Sequence, residues 1–282
     1  MSRLRLGQLD YINCLPVYYA LEEGLVKLEA ELVKGPPTLL NKLFLKGDLV
    51  TTPLSSIDYA IHKEHLCILP DLSISSDGKV ASVLLFSKLP VTELEGRKVC
   101  ICSSSATSVA LLKVLFDHYY QVEVQYETTP PDLKLMMERS DAALLIGDDA
   151  LLARQAVEEK GLPFQVTDLG EAWKKFTGEK MVYAVWVVHR SLAKENPGVV
   201  GHLAEILRQS KEIGLIRLSS VVEKAGQKTG LPPAVLEEYF RLIQYDFDDR
   251  ARRSLLVFFD YAYKSGLIDE RVRLYVFGEG NE

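Results

Sequence analysis

Short apolar runs alternate with amphipathic stretches over the first two thirds of this 282-residue chain. Residues 4–9 read as a strand and residues 16–24 as a helix, with Pro16 in its first turn and Gly24 at its end. The stretch 29–34 is strand-like, and 37–44 is a helix stopped at Gly47. Leu49 and Val50 open a strand that ends at Thr51-Thr52-Pro53-Leu54-Ser55-Ser56, after which 57–63 is helical. Apolar strands are expected at 66–69 and 80–86. This strand–helix repetition predicts a parallel or mixed sheet with helices on its faces.

A second rhythm starts near residue 87. A polar turn at 94–98 leads into a buried strand at 99–102, then Ser103-Ser104-Ser105-Ala106-Thr107-Ser108 and a helix at 109–116. Strand 122–126, helix 131–138, strand 142–146, helix 150–160 and strand 164–169 follow, with Gly147-Asp148-Asp149 between the second strand and the second helix of that series. Residues 183–189 form a long apolar strand; from Ser191 onward the chain is mostly helical, broken near Gly230-Leu231-Pro232-Pro233 and Gly266. The expected layout is a discontinuous first domain, 1–86 plus 187–282, interrupted by a second α/β domain at 87–186. Two chain crossings make a hinge, and strand-to-helix junctions from both domains would face one another across a ligand cleft.

Composition narrows the partners. With 48% hydrophobic residues the chain can fill two cores, and a net charge of −6 without any basic stripe turns attention from nucleic acid and anionic membrane surfaces to a small ligand. No apolar stretch is long enough to span a membrane, and the first residues run into a strand without a secretory h-region, so a cytoplasmic location is expected. Cys100 and Cys102 share a strand face and lack a second ligand pair, which favours buried thiols over a zinc site or a disulfide. His62 and His65 lack an evident third ligand, and dinucleotide, phosphate-loop, HExxH and GxSxG motifs are missing. Neither a metal nor a cofactor is expected, and monomer and homodimer are both open.

Candidate chemistry lies at four junctions. Asn13, ahead of a Pro-initiated helix, offers a donor and an acceptor; Ser55 and Ser56, and Ser103, Ser105, Thr107 and Ser108, offer hydroxyls and free N–H groups at helix starts; Asp148 is either a cap or a hydroxyl ligand. Helix starts favour anions, and two serine turns in different domains fit a ligand with two carboxylates. The competing reading of each turn is an ordinary cap. Trp173, Tyr183 and Trp186 read as core or as an aromatic wall, and Arg250-Ala251-Arg252-Arg253 as a solvated helix face.

Five stretches taken in order, 11–16, 53–59, 103–108, 146–151 and 168–173 with Thr177-Gly178, resemble the chorismate dehydratase family of the futalosine route to menaquinone. The resemblance covers essentially the whole chain. It implies a two-domain periplasmic-binding-protein-like (type II) α/β fold with the cleft between the domains, and conversion of chorismate to 3-[(1-carboxyvinyl)oxy]benzoate by loss of water. The C3 hydrogen of chorismate is vinylogous to the ring carboxylate, so its removal gives a dienolate-like intermediate that expels the C4 hydroxyl and becomes aromatic. No histidine stands at the four junctions, and the substrate's own side-chain carboxylate is the hypothesised base, with Asn13 positioning substrate groups. The sister enzyme that acts on cyclic futalosine carries a His-Glu pair where this chain has Gly147-Asp148, which counts against that activity. A binding protein or sensor for a small dicarboxylate or aromatic acid is the alternative.

Overall fold

The structure, a computed structural model, describes residues 4–102 and 105–279. The first half runs β1 (Leu4–Leu9), α1 (Leu15–Glu22), β2 (Ala30–Gly35), α2 (Pro37–Leu45), β3 (Thr51–Ser55), α3 (Ser56–His62) and β4 (Leu66–Ser76). The next segments are β5 (Val83–Ser87), β6 (Lys98–Cys102), α4 (Ala106–Leu115), β7 (Gln125–Thr129), α5 (Leu133–Arg139), β8 (Ala142–Ile146), α6 (Gly147–Lys160), β9 (Gln165–Asp168) and α7 (Leu169–Thr177). After β10 (Met181–His189) come α8 (Arg190–Glu195), α9 (Pro197–Ile216), α10 (Leu218–Thr229), α11 (Pro233–Leu242) and α12 (Asp249–Lys264).

These strands form two sheets, ordered β2-β1-β3-β10-β4 and β7-β6-β8-β5-β9. In the first, β1 lies parallel to β2 and β3 while β10 runs antiparallel between β3 and β4. In the second, β6 lies parallel to β7 and β8 while β5 runs antiparallel between β8 and β9. Matching β6 through β9 to β1 through β4 makes the two orders identical. The antiparallel strand of each sheet is the one reached on crossing from the other half.

The chain crosses between sheets at 77–82 and 169–180, and the expected limits at 86/87 and 186/187 fall inside β5 and β10. Gly78 (φ 102°) and Ala81 (φ 61°) turn the chain at the first crossing, so the apolar Val80 precedes the strand instead of starting it. Asp168 fastens the two crossings together. Its carboxylate accepts from the N–H groups of Val80 and Ala81 (3.0 and 2.7 Å) and of Gly170 and Glu171 (2.9 and 3.1 Å), which caps α7 as well.

Local differences from the periodicity have clear causes. β4 continues to Ser76 because Pro70 and Asp71 (φ 60°) bend the strand without ending it. β7 begins at Gln125 because α4 is prolonged by a π turn at Phe116–Tyr120 and stops on the left-handed Gln121. β8 is buried at all five positions, as a strand covered by helices on both faces must be. Trp186 is fully buried and donates its indole N–H to Tyr18 Oη (2.9 Å), which donates to the Gly7 carbonyl (2.7 Å), tying β10, α1 and β1 together. Trp173 is also core, and all four cysteines are buried thiols. No helix among the described residues is long and apolar enough to cross a membrane.

Candidate functional site

Five helix starts converge on one cavity of about 260 Å³ between the two sheets: those of α1, α2 and α3 from the first half, and of α4 and α6 from the second. Such convergence follows from the sheet order, because helices begin at the carboxyl ends of parallel strands. Among the described residues the wall carries no Lys, Arg or His, and Asp58 is its only carboxylate. Anion binding would therefore rest on N–H, O–H and amide donors rather than on cationic side chains.

Asn13 lines the cavity, and its Oδ1 is buried without a hydrogen-bond partner. An orphaned buried amide oxygen is costly unless a ligand meets it. Ser108 also faces the cavity. Ser105 Oγ accepts from the Ser108 N–H (3.4 Å) and donates to Ser108 Oγ (2.9 Å), which leaves the Ser108 proton for the cavity. Ser103 lies outside the described residues.

The remaining expected ligands are used differently. Ser55 lines the cavity, but its hydroxyl donates to Asp58 Oδ2 (2.8 Å) while accepting from the Asp58 N–H (3.3 Å), so it presents lone pairs and not a proton. Ser56 is fully buried and turned away, donating to the Val182 carbonyl on β10 (2.7 Å). Thr107 is fully buried too: its Oγ1 accepts from the Ile57 N–H (3.0 Å), joining the starts of α3 and α4 across the two halves. Asp148 is absent from the cavity wall. It accepts from the Ile12 N–H (3.0 Å) and pairs with Lys228 (3.1 Å), a second strap between halves; burial pushes its carboxyl above the ordinary range although both partners oppose this. Ser56, Thr107 and Asp148 thus hold the halves and elements around the cavity together instead of reaching into it.

Periodicity missed Thr38, Asn41, Asp58 and Ser82. Asn41 donates to Asp58 Oδ2 (3.0 Å), and the polar pair Thr38 and Asn41 on an otherwise apolar helix start was the available signal. Ser82 accepts from Tyr239 Oη (3.1 Å), which frees its own proton for the cavity; nothing in its turn-like context marks it. Tyr183 serves as cavity wall, with Oη 3.3 Å from Ser76 Oγ. Burial pushes the Cys14 thiol and the Tyr183 phenol well above their ordinary ranges, so both stay neutral at physiological pH and neither serves as a base there.

Gly147 is held at φ 59°, and a Cβ built on it would stand 3.0 Å from Tyr11 Cδ1. A histidine at this position would need another backbone conformation and displacement of the Tyr11 ring. No group of three His, Cys, Asp or Glu side chains among the described residues is placed to hold a metal ion.

Two sheets of one order, paired crossings and a ligand-sized cavity between them define a two-domain, periplasmic-binding-protein-like α/β protein. The periplasmic aliphatic sulphonate binding protein of Escherichia coli has this fold, superposing with a TM-score of 0.66 over 99% of this chain and 94% of that one at 14% identity. The chain belongs to the menaquinone biosynthesis family, whose model matches residues 4–264. It is 34% identical to the chorismate dehydratase of Thermus thermophilus over 90% of this chain and 93% of that protein. Its identity with the 1,4-dihydroxy-6-naphtoate synthase of the same organism is 29%, over 74% of each.

Proposed function

We propose that the protein is a chorismate dehydratase, a carbon–oxygen lyase that converts chorismate to 3-[(1-carboxyvinyl)oxy]benzoate and water. The observation that carries this reading, beside the similarity to the Thermus enzyme, is a cavity rich in neutral donors with one orphaned amide oxygen, at Asn13. In this reading Ser108, Ser82 and Thr38 hold the carboxylates, and Asn13 sets the ring against the substrate's own side chain. Fixed dipoles of this kind stabilise charge that develops on the ring carboxylate without reorganising.

The side-chain carboxylate of chorismate takes the C3 proton, the C4–O bond breaks with that proton passed on to the leaving hydroxyl so that it departs as water, and the ring becomes aromatic. Cys14 and Tyr183 are neutral, and Asp58 already holds two donors on one oxygen, so the wall supplies no better base. The domain division belongs to the proposal as well: 4–76 with 181–279 forms one domain and 83–168 the other, and closure brings them onto the substrate.

The test is incubation of the purified protein with chorismate and chromatographic detection of the substituted benzoate. Product formed catalytically supports the dehydratase; tight binding without product would make the protein a sensor or carrier of the same dicarboxylate.

A further inference from the structure

Resting on the dehydratase reading, we propose that Asp58 accepts a hydrogen bond from the ring hydroxyl of the substrate and so distinguishes substrate from product. Chorismate at neutral pH has two carboxylates, an ether oxygen and one alcohol, so the alcohol is its only hydrogen-bond donor. The cavity wall is the complement. Thr38, Ser82, Ser108 and the Asn13 amide can all donate, whereas the Asp58 carboxylate can only accept.

Neighbouring groups reinforce this polarity. Ser55 gives its proton to Asp58 Oδ2 (2.8 Å) and Asn41 donates to the same oxygen (3.0 Å), fixing the carboxylate against the cavity. Ser55 is left with lone pairs, so the start of α3 is an acceptor corner, and the unpartnered Asn13 Oδ1 is a second acceptor in a wall whose other hydroxyls donate. A carboxylate placed there would meet Asp58 at close range without an intervening cation, so the two substrate carboxylates belong elsewhere. The alternative role for Asp58, completing a Ser-x-x-Asp cap on α3, explains the Asp58 N–H bond to Ser55 but not the Asn41 bond or the cavity-facing position.

The product has lost the hydroxyl and has no donor to offer Asp58. Substituting Asp58 therefore penalises substrate and spares product. For Asp58→Asn the expected loss in kcat/KM for chorismate is about 10- to 100-fold, the range for one hydrogen bond to a charged group. The inhibition constant of the product in the same assay should be unchanged or lower, since a negative charge beside a dianion has been removed.

Thermal unfolding verifies that the variant folds. Should it not fold, Asn41→Ala, which releases Asp58 Oδ2 from one anchor, is expected to give a smaller loss of the same one-sided kind. An equal weakening of substrate and product would reduce Asp58 to a helix cap and overturn the proposal. An unchanged kcat/KM would overturn it too. Loss of kcat beyond about 10⁴-fold with substrate affinity intact would make Asp58 the proton acceptor instead. Wild-type protein runs alongside: if it yields no product from chorismate, the dehydratase reading itself fails, whereas wild-type turnover without the one-sided Asp58 effect removes this inference alone.

Discussion

At the scale of single residues, the cavity sorts polar side chains by the direction of their hydrogen bonds. Asn13 was legible because an Asn between a strand and a Pro-initiated helix has few structural duties, and its Oδ1 is indeed left without a partner. Asn13→Ala is expected to lower kcat by about 100-fold or more while KM changes by less than about 10-fold, as for loss of one preorganised polar contact in a transition state. Steady-state kinetics on chorismate check this; equal loss in binding would assign Asn13 to ground-state recognition. The serine turns were legible only as turns. Adjacent residues at a helix start face directions about 100° apart, so Ser55 reaches the cavity while Ser56 bonds β10, and Ser108 reaches it while Thr107 bonds α3. Asp58 stayed hidden because Ser-x-x-Asp reads as a cap.

At the scale of elements, strand and helix types followed from periodicity, and the misplaced limits cluster at the crossings. Residues 77–82 are held by long-range bonds from Val80 and Ala81 to Asp168, the cap of α7, which no local window reports. The shared sheet order is invisible for the same reason: strand pairing is non-local, and the two halves have no matching sequence repeat. It carries a functional consequence. By position in the repeated order, the counterpart of the Ser105 turn is the Asn13 junction, and the counterpart of Ser55 is Gly147. The two serine turns are therefore not equivalent clamps, which accords with their opposite hydrogen-bond polarity. Asp168→Ala would leave three buried N–H donors and the half-buried one of Glu171 without a partner, for an expected loss of about 3 kcal/mol or more. Urea unfolding measures it; a loss below about 1 kcal/mol would mean that other groups satisfy those donors.

At the scale of the whole molecule, the two halves are joined beside the cavity by contacts made within the protein itself. Ile57 with Thr107, and Ile12 with Asp148, bind helix starts of one half to those of the other around the cavity, and Lys228 in the last turn of α10 pairs with Asp148. These straps set the helix starts of both halves around one cavity, the arrangement that hinge closure onto a ligand uses. Thr107→Val keeps the shape of the side chain but removes the acceptor for the Ile57 N–H, and should weaken the closed state by about 1–3 kcal/mol. Calorimetric titration with the product would register this as a lower affinity, and an unchanged affinity would show that the strap does not contribute to closure.

A proton NMR time course on chorismate with catalytic amounts of purified protein decides whether this cavity aromatises chorismate. Dehydration in this cavity turns the ring diene signals into those of four aromatic protons while the enolpyruvyl methylene protons persist. Chorismate signals that remain unchanged, or that broaden on binding without giving aromatic product, would contradict it.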